Sequence, residues 1–287
     1  MPKPVHTISV RRKLSNGAAL GLISLAALVV TVPLFLILGT VLLRGLGALN
    51  WAFLTQIPKP IGEQGGGMGN AILGSLLLLG FASLIGVPLG VGTGVFLAEY
   101  GRNKFGNVVR FTADALNGVP SVVIGMTVWA LVVVPQGHFS LFAGSVALGI
   151  MMIPVISRTT EEVLLLVPQS IREAALGLGI PKWRTILSVV LRTASAGIVT
   201  SIMLAFARIA GESAPLMFTA FGNEFWSTNP NQPVASLPLQ IYKYAIQPYD
   251  QAHAQAWTAA LVLISLIMIT VILFRFIASR GAVKGAS

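Results

Sequence analysis

The sequence contains no cysteine, only three histidines and only nine aspartates and glutamates among 287 residues. The absence of cysteine excludes disulfides, thiol nucleophiles and thiolate metal sites. The histidines fall in the N-terminal tail and in loops, and no Gly-Lys-Ser/Thr loop for nucleotide phosphates occurs. An intramembrane hydrolase would need a buried nucleophile and base or paired aspartates, but Asp114 and Asp250 are expected on opposite sides of the membrane. We therefore expect no catalytic residue, no metal, no cofactor and no ATP hydrolysis by this chain.

Charge of either sign is also scarce, since charged residues make up 10% of the sequence and hydrophobic residues 55%. This balance is typical of a helical protein that crosses a membrane several times. A span needs about 20 apolar residues. Six segments satisfy this requirement: 18–43, 71–98, 111–134, 139–157, 193–221 and 256–278. We predict an all-α polytopic membrane protein with six transmembrane helices in one domain, residues 18–278, between tails at 1–17 and 279–287.

The basic residues are distributed unequally between the two sides that six spans define. Three lie on one side (Arg44, Lys59 and Lys243), and Arg208 lies within a span. The other fifteen share the side of the two termini: Lys3, Arg11, Arg12, Lys13, Arg102, Lys104, Arg110, Arg158, Arg172, Lys182, Arg184, Arg192, Arg275, Arg280 and Lys284. By the positive-inside rule that side, with both termini, is cytoplasmic. Because topology accounts for the net charge of +10, we expect contact with membrane lipid and no nucleic-acid partner.

The longest polar interruption, residues 168–192, lies on the predicted cytoplasmic side. Gly177, Gly179 and Pro181 favour a hinge between two short helices, and Ser170 is positioned to cap the first of them. The residues of interest are Arg172, Glu173, Ala174, Ala175, Gly179, Lys182 and Trp183. A helix pair at a membrane surface is suited to docking a partner, although an ordinary amphipathic loop is the alternative.

The run Glu173-Ala174-Ala175, three residues and Gly179 resembles the EAA loop of ABC importer permeases. The resemblance implies a type I importer permease with the MetI-like fold. In such a permease, the seven loop residues named above couple the membrane domain to a separate ATPase subunit. Alanines keep the helix thin enough to enter a groove, and Glu173 and Arg172 can pair with charges on a partner. Arg192 stands where the family pattern has proline, so we expect a straighter exit into the next span.

Two other spans carry patterns of small residues. Gly86, Gly90 and Gly94 recur every four residues around Pro88, which predicts close approach of another helix. The third span holds Gly118-Val-Pro-Ser-Val-Val-x-Gly125, whose proline and glycines are tolerated where protein or a watery cavity satisfies the backbone. This run resembles the permease subunits of the Pst phosphate importers, and the resemblance places Asn117 and Ser121 along the pathway. We interpret Asp114 as a first-turn carboxylate close to Arg110.

The cytoplasmic end of the fourth span, Arg158-Thr-Thr-Glu161-Glu162, strengthens the Pst resemblance. The two glutamates are adjacent and would not face one another on a helix, so they are poor candidates for an acid/base pair. We interpret them as a solvated or docking face.

The fifth span carries Arg208, which is costly in a bilayer unless it is paired or faces water. Two interpretations stay open: a salt bridge to Glu212 that neutralises both charges, or an anion pathway in which the guanidinium engages two oxygens at once. Arg208-Ile-Ala-Gly-Glu212-Ser213-Ala-Pro-Leu resembles the Arg-x-x-Gly-Glu-Thr/Ser-Ala-Pro-Leu signature of the PstA family. That resemblance assigns Arg208, Glu212 and Ser213 to the pathway.

The segment 233–242 also resembles the extracytoplasmic stretch of the PstA family, and we expect a short helix there that caps the pathway. The resemblance as a whole implies a permease for inorganic phosphate in the bacterial inner membrane. Its implied partners are a homologous PstC-like permease, a PstB-like ATPase dimer and a PstS-like phosphate-binding protein. Import of another oxyanion or small solute, or a non-transporting scaffold, are the alternatives.

Overall fold

Long apolar runs form long helices in the computed structural model, which describes residues 10–60, 62–63 and 65–283. Four helices are each long and apolar enough to cross a membrane: α1 (Val10–Gly45), α3 (Gly69–Glu99), α7 (Leu141–Leu165) and α14 (Asp250–Val283). Between α1 and α3 lies the short α2 (Trp51–Thr55). The described residues hold no strand apart from an isolated bridge between Phe221 and Val234, which confirms the predicted all-α class.

The third and fifth spans are broken helices. The first pair, Lys104–Gly118 and Ser121–Gln136, is bent by 105°, and the second, Lys182–Thr193 and Ser195–Ala210, by 72°. With each bent pair counted as one span, the helices reach the predicted six. The first break lies at Val119 and Pro120, where proline donates no N–H and disfavours helix in the residue before it.

The bent pairs contain several named segments. The third span consists of α4 (Lys104–Gly118), α5 (Ser121–Val128), a π-helical turn (Trp129–Val133) and α6 (Val134–Gln136). The fifth consists of α9 (Lys182–Thr185), a π-helical turn (Ile186–Val190), α10 (Leu191–Thr193) and α11 (Ser195–Ala210), and α12 (Ala214–Thr219) follows after another break. The 72° bend lies at Ala194, two residues after Arg192, so the chain turns here without the family's proline. A straighter exit than in the family stays a prediction.

The glycines of α3 allow α7 to approach closely, as predicted. A Cβ atom added at Gly86 would lie 2.7 Å from the Met152 Cβ, and one at Gly90 would lie 2.7 Å from the Ile156 Cβ. These distances are about 1 Å shorter than a favourable carbon–carbon contact. The interface between α3 and α7 therefore depends on bare backbone, and its buried side chains form part of the main hydrophobic core with those of α11 and α12.

The first helix is packed at one end only. Its side chains from residue 15 to residue 38 are exposed. At its C-terminal end Gly45 lies against α14, where the Thr258 hydroxyl donates a hydrogen bond of 2.8 Å to the Gly45 carbonyl. Most of α1 thus projects from the helix bundle.

The predicted short helix of the outer segment is present as α13 (Leu237–Ala245). The outer segment that contains α13 is fixed to the N-terminal part of α3 by two hydrogen bonds. The Leu237 N–H donates to the Ser75 hydroxyl at 2.8 Å, and the Asn70 side-chain amide donates to the Asn223 carbonyl at 2.9 Å. The segment is therefore held to the end of the bundle that is opposite to the polar loop.

Candidate functional site

The polar loop folds into the predicted pair of short helices, α8 (Gln169–Gly177) and α9. Gly179 between them adopts φ +78°, a left-handed conformation that favours glycine. The predicted cap at Ser170 is wrong, because the N-cap is Pro168, two residues earlier, and the helix begins at Gln169. Pro168 is still extended, with φ −58° and ψ 139°, and Gln169 is the first helical residue, so Ser170 lies inside the first turn.

Arg172 points back into the chain instead of outward. Its guanidinium binds one carboxylate oxygen of Glu99 at 2.9 and 3.0 Å, and it also donates to the Leu164 and Val167 carbonyls at 2.8 and 2.5 Å. The Glu99 side chain is only 8% exposed. Because a buried carboxylate without a partner is costly, this pair anchors α8 to the ends of α3 and α7.

Lys182 fixes the second helix of the loop to the same place. Its ammonium donates to the Glu99 carbonyl at 2.9 Å and lies 4.1 Å from the centre of the Tyr100 ring, within the range of a cation–π interaction. Behind the loop is an open groove of about 600 Å³, lined by residues that include Arg102, Leu166 and Val190. Both helices of the loop are thus tied to the cytoplasmic end of α3 that the sequence predicts.

The other named loop residues, except one, are accessible. Glu173, Ala174, Gly179 and Trp183 are exposed, whereas Ala175 is buried. Leu178 beside them is 80% exposed. The loop therefore presents a surface with one carboxylate and large apolar side chains, and such a surface is suited to binding another protein.

The glutamates after the fourth span differ in their environment. Glu162 is exposed, but the Glu161 side chain is 4% exposed and holds Arg110 and Arg158 at 2.6 and 2.5 Å. The prediction of a solvated or docking face is therefore wrong for Glu161. Arg110 on α4 and Arg158 on α7 enclose it, because two guanidiniums can stabilise one buried carboxylate.

Asp114 is not a first-turn residue. The Asn103 side chain caps α4 by accepting a hydrogen bond from the Gly106 N–H at 2.8 Å, so the helix begins at Lys104 and Asp114 lies near its C-terminal end. The carboxylate pairs with Arg158 at 2.9 Å, and Arg110 pairs with Glu161. The position of this cap corrects the prediction of a first-turn carboxylate, and the ion-pair partner of Asp114 is Arg158 on α7.

Arg208 ends an exposed stripe along α11. Ala196, Thr200, Leu204 and Arg208 recur every four residues and are all exposed, while the opposite face enters the main core. None of the ion pairs within the described part of the chain includes Arg208 or Glu212. The predicted pairing of these two residues is therefore not formed in this conformation, and the guanidinium is available at the wall of the helix bundle.

The segment after Arg208 contacts the third span. A Cβ atom added at Gly125 would lie 2.6 Å from the Pro215 Cα, so α5 and α12 touch through bare backbone. Glu212 and Ser213 are half-buried in the break between α11 and α12, and Asn117 and Ser121 are half-buried on the two sides of the Val119–Pro120 break. The Asn117 Oδ1 atom is buried without a hydrogen-bond partner. The two motifs that the sequence singled out are thus brought together at two broken helices.

The outer helix lies over this region. A cavity of about 10 Å³, enough for roughly one water molecule, is lined by Glu212, Ser75 and Ser236 among others. Burial, and then the nearby Glu224 carboxylate, raise the pKa of Tyr244 on α13 above its ordinary value of 10.0. The hydroxyl of Tyr244 therefore stays protonated at neutral pH.

Several residues that organise these regions were missed in the sequence. Glu99 is one acidic residue at the end of an apolar span, and only its position beside the polar loop could have suggested a partner for Arg172. The burial of Glu161 depends on α4, a helix whose start and orientation a span count does not predict. Ser75 and Ser236 give no pattern at all, because their proximity depends on how α13 folds back.

Comparison with known proteins identifies relatives along nearly the whole chain. Residues 90–282 match the family described as binding-protein-dependent transport system inner membrane components. The chain is 46% identical over 262 residues to the phosphate transport system permease protein PstA of Xylella fastidiosa (strain Temecula1), which covers 90% of this chain and 91% of the relative. It is 44% identical over 245 residues to PstA of Yersinia pestis, covering 85% and 83%.

Solved structures with a similar fold are ABC transporters. One, involved in the import of the acidic polysaccharide alginate, aligns with a TM-score of 0.60 at 14% identity and covers 93% of this chain and 99% of its own. Another, the methionine ABC transporter MetNI in an inward-facing conformation, aligns with a TM-score of 0.55 at 22% identity and covers 74% and 94%. At these identities the likeness shows the fold alone, and it confirms the predicted MetI-like importer permease fold.

Proposed function

Because the chain belongs to the PstA family of phosphate transport permeases, within the binding-protein-dependent transport system inner membrane components, we propose that it is the membrane subunit through which an ATP-driven importer moves inorganic phosphate. Its translocation pathway forms against a homologous, PstC-like permease. A cytoplasmic PstB-like ATPase dimer hydrolyses ATP, and a PstS-like protein delivers phosphate from outside. The complex lies in the bacterial inner membrane with both termini of this chain in the cytoplasm.

One observation carries the pathway assignment: Arg208 is exposed on the wall of a spanning helix and forms no ion pair among the described residues. An arginine in such a position is stable when it faces a partner subunit or a water-filled cavity. Its planar guanidinium presents two parallel N–H donors, here called the fork, which match two oxygens of a phosphate anion. We assign the binding of the anion to Arg208, and secondary contacts to Glu212, Ser213, Asn117 and Ser121, which line the two helix breaks.

The polar loop couples this pathway to the ATPase. Glu173, Ala174, Gly179 and Trp183 offer accessible surface, and Ala175 packs beneath them. Arg172 and Lys182 contribute from behind, because they fix the two loop helices to Glu99 and Tyr100 at the end of α3. In this assignment the outer residues contact the ATPase, and the two cations transmit its movement to the membrane helices.

The test compares variants of Arg208 in vesicles that contain the full complex and the phosphate-binding protein. Arg208→Gln removes the cation, Arg208→Lys keeps the charge without the fork, and Arg208→Gln with Glu212→Gln removes both charges. Arg275→Gln is the matched control, since Arg275 is an exposed arginine near the other end of a spanning helix. Uptake of radioactive phosphate is measured per assembled complex, with sulfate as a competing oxyanion.

We expect Arg208→Gln and the double variant to lose uptake by at least about tenfold, because hydrogen bonds to charged groups contribute about 1.5–3 kcal/mol. Arg208→Lys should be intermediate, and Arg275→Gln should resemble the native chain. If Arg208 served only to neutralise Glu212, the double variant would transport normally, since removing a buried pair is often close to neutral. Normal uptake by the assembled double variant would refute the pathway role, and equal competition by sulfate would broaden the substrate class.

A further inference from the structure

Glu161 lies at the centre of a charged network that joins two helices. Its Oε1 atom accepts from the Arg110 Nε–H at 2.6 Å, and its Oε2 atom accepts from an Arg158 N–H at 2.5 Å. Each carboxylate oxygen thus serves a different arginine, one on α4 and one on α7. With the side chain 4% exposed, these contacts are shielded from solvent and from screening by salt.

Both arginines extend the network to further elements. Arg110 also donates to the Leu97 carbonyl at 3.0 Å and the Gly101 carbonyl at 2.9 Å, so it closes the C-terminal end of α3. Arg158 continues to Asp114 at 2.9 Å, one turn before α4 ends at Gly118. The network therefore fixes the ends of α3, α4 and α7 to one another.

The position of the network connects the two regions assigned above. On one side, α7 ends four residues after Glu161 and leads into α8, the first helix of the loop that meets the ATPase. On the other side, Asp114 is followed within four residues by Asn117 and Gly118, and then by the Val119–Pro120 break. Along α7, a displacement of the loop is carried to the break when α4 and α7 move together.

Stability alone does not explain such a network. Replacing a buried ionic cluster by apolar side chains of similar volume is often neutral or stabilising, whereas removing one member leaves an uncompensated charge. What ionic contacts add is directional, because each fixes the distance and orientation of two helices. Elsewhere α4 and α7 are separated by a mostly apolar groove, whose lining includes Phe105, Thr112 and Ile153.

We propose that Glu161 is a positioning residue for transport: it makes α4 and α7 one rigid body, so that movement of the ATPase-coupling loop is carried to the Val119–Pro120 break. This inference rests on the proposed function as an importer. It assigns Arg110, Arg158 and Asp114 to the same transmission path, without contact to the transported anion.

The test uses the assembled complex and measures phosphate moved per ATP hydrolysed. Glu161→Gln keeps the size of the side chain and loses the charge that holds two guanidiniums. Glu162→Gln is the matched control, because it makes the same change at the adjacent, exposed residue. We expect Glu161→Gln to lower the ratio of phosphate moved to ATP hydrolysed by about fivefold or more, since fivefold is the lower end of typical coupling between two sites. Glu162→Gln should leave this ratio unchanged. A merely structural loss would lower the amount of complex and leave the ratio intact.

Asp114→Asn and Glu161→Asp complete the series. Asp114 is the accessible end of the network, so its substitution should allow normal assembly and still lower the ratio, by less than Glu161→Gln does. Glu161→Asp keeps the charge and should restore part of the coupling. If Glu161→Gln prevents assembly, Asp114→Asn decides: an unchanged ratio in that variant would overturn the proposal. So would an unchanged ratio in assembled Glu161→Gln, or an equal loss in Glu162→Gln.

A second readout does not depend on the transported solute. The chain has no cysteine, so spin labels at Phe111→Cys on α4 and Leu166→Cys after α7, both highly exposed, report one distance. We expect this distance to be the same in nucleotide-free and nucleotide-trapped complexes of the native chain, and to split or broaden in Glu161→Gln. A distance that already changes in the native chain would refute the rigid body. If native vesicles took up no phosphate, only the proposed function would fail, and the distances would still test Glu161.

Discussion

Gly94 offers the sharpest test of how the two central spans pack. A Cβ atom added at this glycine of α3 would lie 2.6 Å from the Thr160 Cβ and 2.7 Å from the Ser157 carbonyl oxygen on α7. One of these atoms belongs to the backbone and cannot rotate away. The substitution Gly94→Ala must therefore push the helices apart by roughly 1 Å to reach ordinary contact distances.

The expected cost follows from two opposing effects. Overpacking of a tight interface costs about 1–3 kcal/mol, and this site lies at the upper end because the obstructing oxygen is fixed. Alanine in place of glycine favours the helix by about 1 kcal/mol. We expect Gly94→Ala to lower the free energy of unfolding by about 2 kcal/mol. In lipid, helix association depends on packing and not on the exclusion of water, so nothing else compensates for the wider gap.

The control for this substitution lies two residues away. A Cβ atom added at Gly92 on the same helix meets nothing within 4 Å, so Gly92→Ala should be neutral or should stabilise the protein by up to about 1 kcal/mol. Both variants can be compared by reversible unfolding in mixed detergent micelles. If Gly94→Ala were as stable as Gly92→Ala, the close contact between α3 and α7 would be refuted.

Two further predictions concern the loop and the orientation of the chain. Gly179→Pro should reduce co-purification of the ATPase subunit by about tenfold or more without loss of membrane insertion, because proline cannot adopt φ +78°. The control is Gly177→Ala, since an added Cβ at Gly177 meets nothing within 4 Å. Equal recovery of the ATPase with both variants would refute the coupling role. Single cysteines in the cysteine-free chain should react with a membrane-impermeant maleimide on intact cells at Phe225→Cys, and not at Phe105→Cys or Leu178→Cys. Reaction of Leu178→Cys from outside would invert the predicted topology.

Features that depend on local composition were predictable from the sequence. Apolar runs of sufficient length predict spans, and a glycine every fourth residue predicts a close helix contact, because both patterns act within one helix. The turn at Gly179 follows from glycine and proline signals in the same way, whereas the short helix at residues 237–245 was expected from the family resemblance. For these elements the structure confirms the predictions, with shifts at their ends.

Features that depend on the meeting of distant segments were not predictable. Asp114 is expected in the first turn of a span, but α4 starts earlier than a span of apolar residues suggests, and the carboxylate meets Arg158 on α7. Glu161 and Glu162 are adjacent residues of the same type, so the sequence does not distinguish them. Glu161 is buried and Glu162 exposed because α4 approaches only the face of α7 that carries Glu161. In the same way, Arg208 and Glu212 have the spacing of a helical ion pair, yet Gly211 breaks the helix between them.

The breaks and the rigid helices have complementary roles in the proposed mechanism. The assigned pathway residues lie at or beside the breaks in the third and fifth spans, where the backbone changes direction and polar groups reach the wall of the bundle. The coupling loop is held to the end of α3 by the pair of Glu99 and Arg172, and α7, which leads into the loop, is joined to α4 by the pair of Glu161 and Arg110. A movement of the loop therefore first meets the part of the fold that deforms least, because α3 and α7 are in backbone contact over several turns. The movement then changes the backbone at the breaks in the third and fifth spans, which deform most easily. Asn117, Ser121 and Arg208 lie at or beside these breaks.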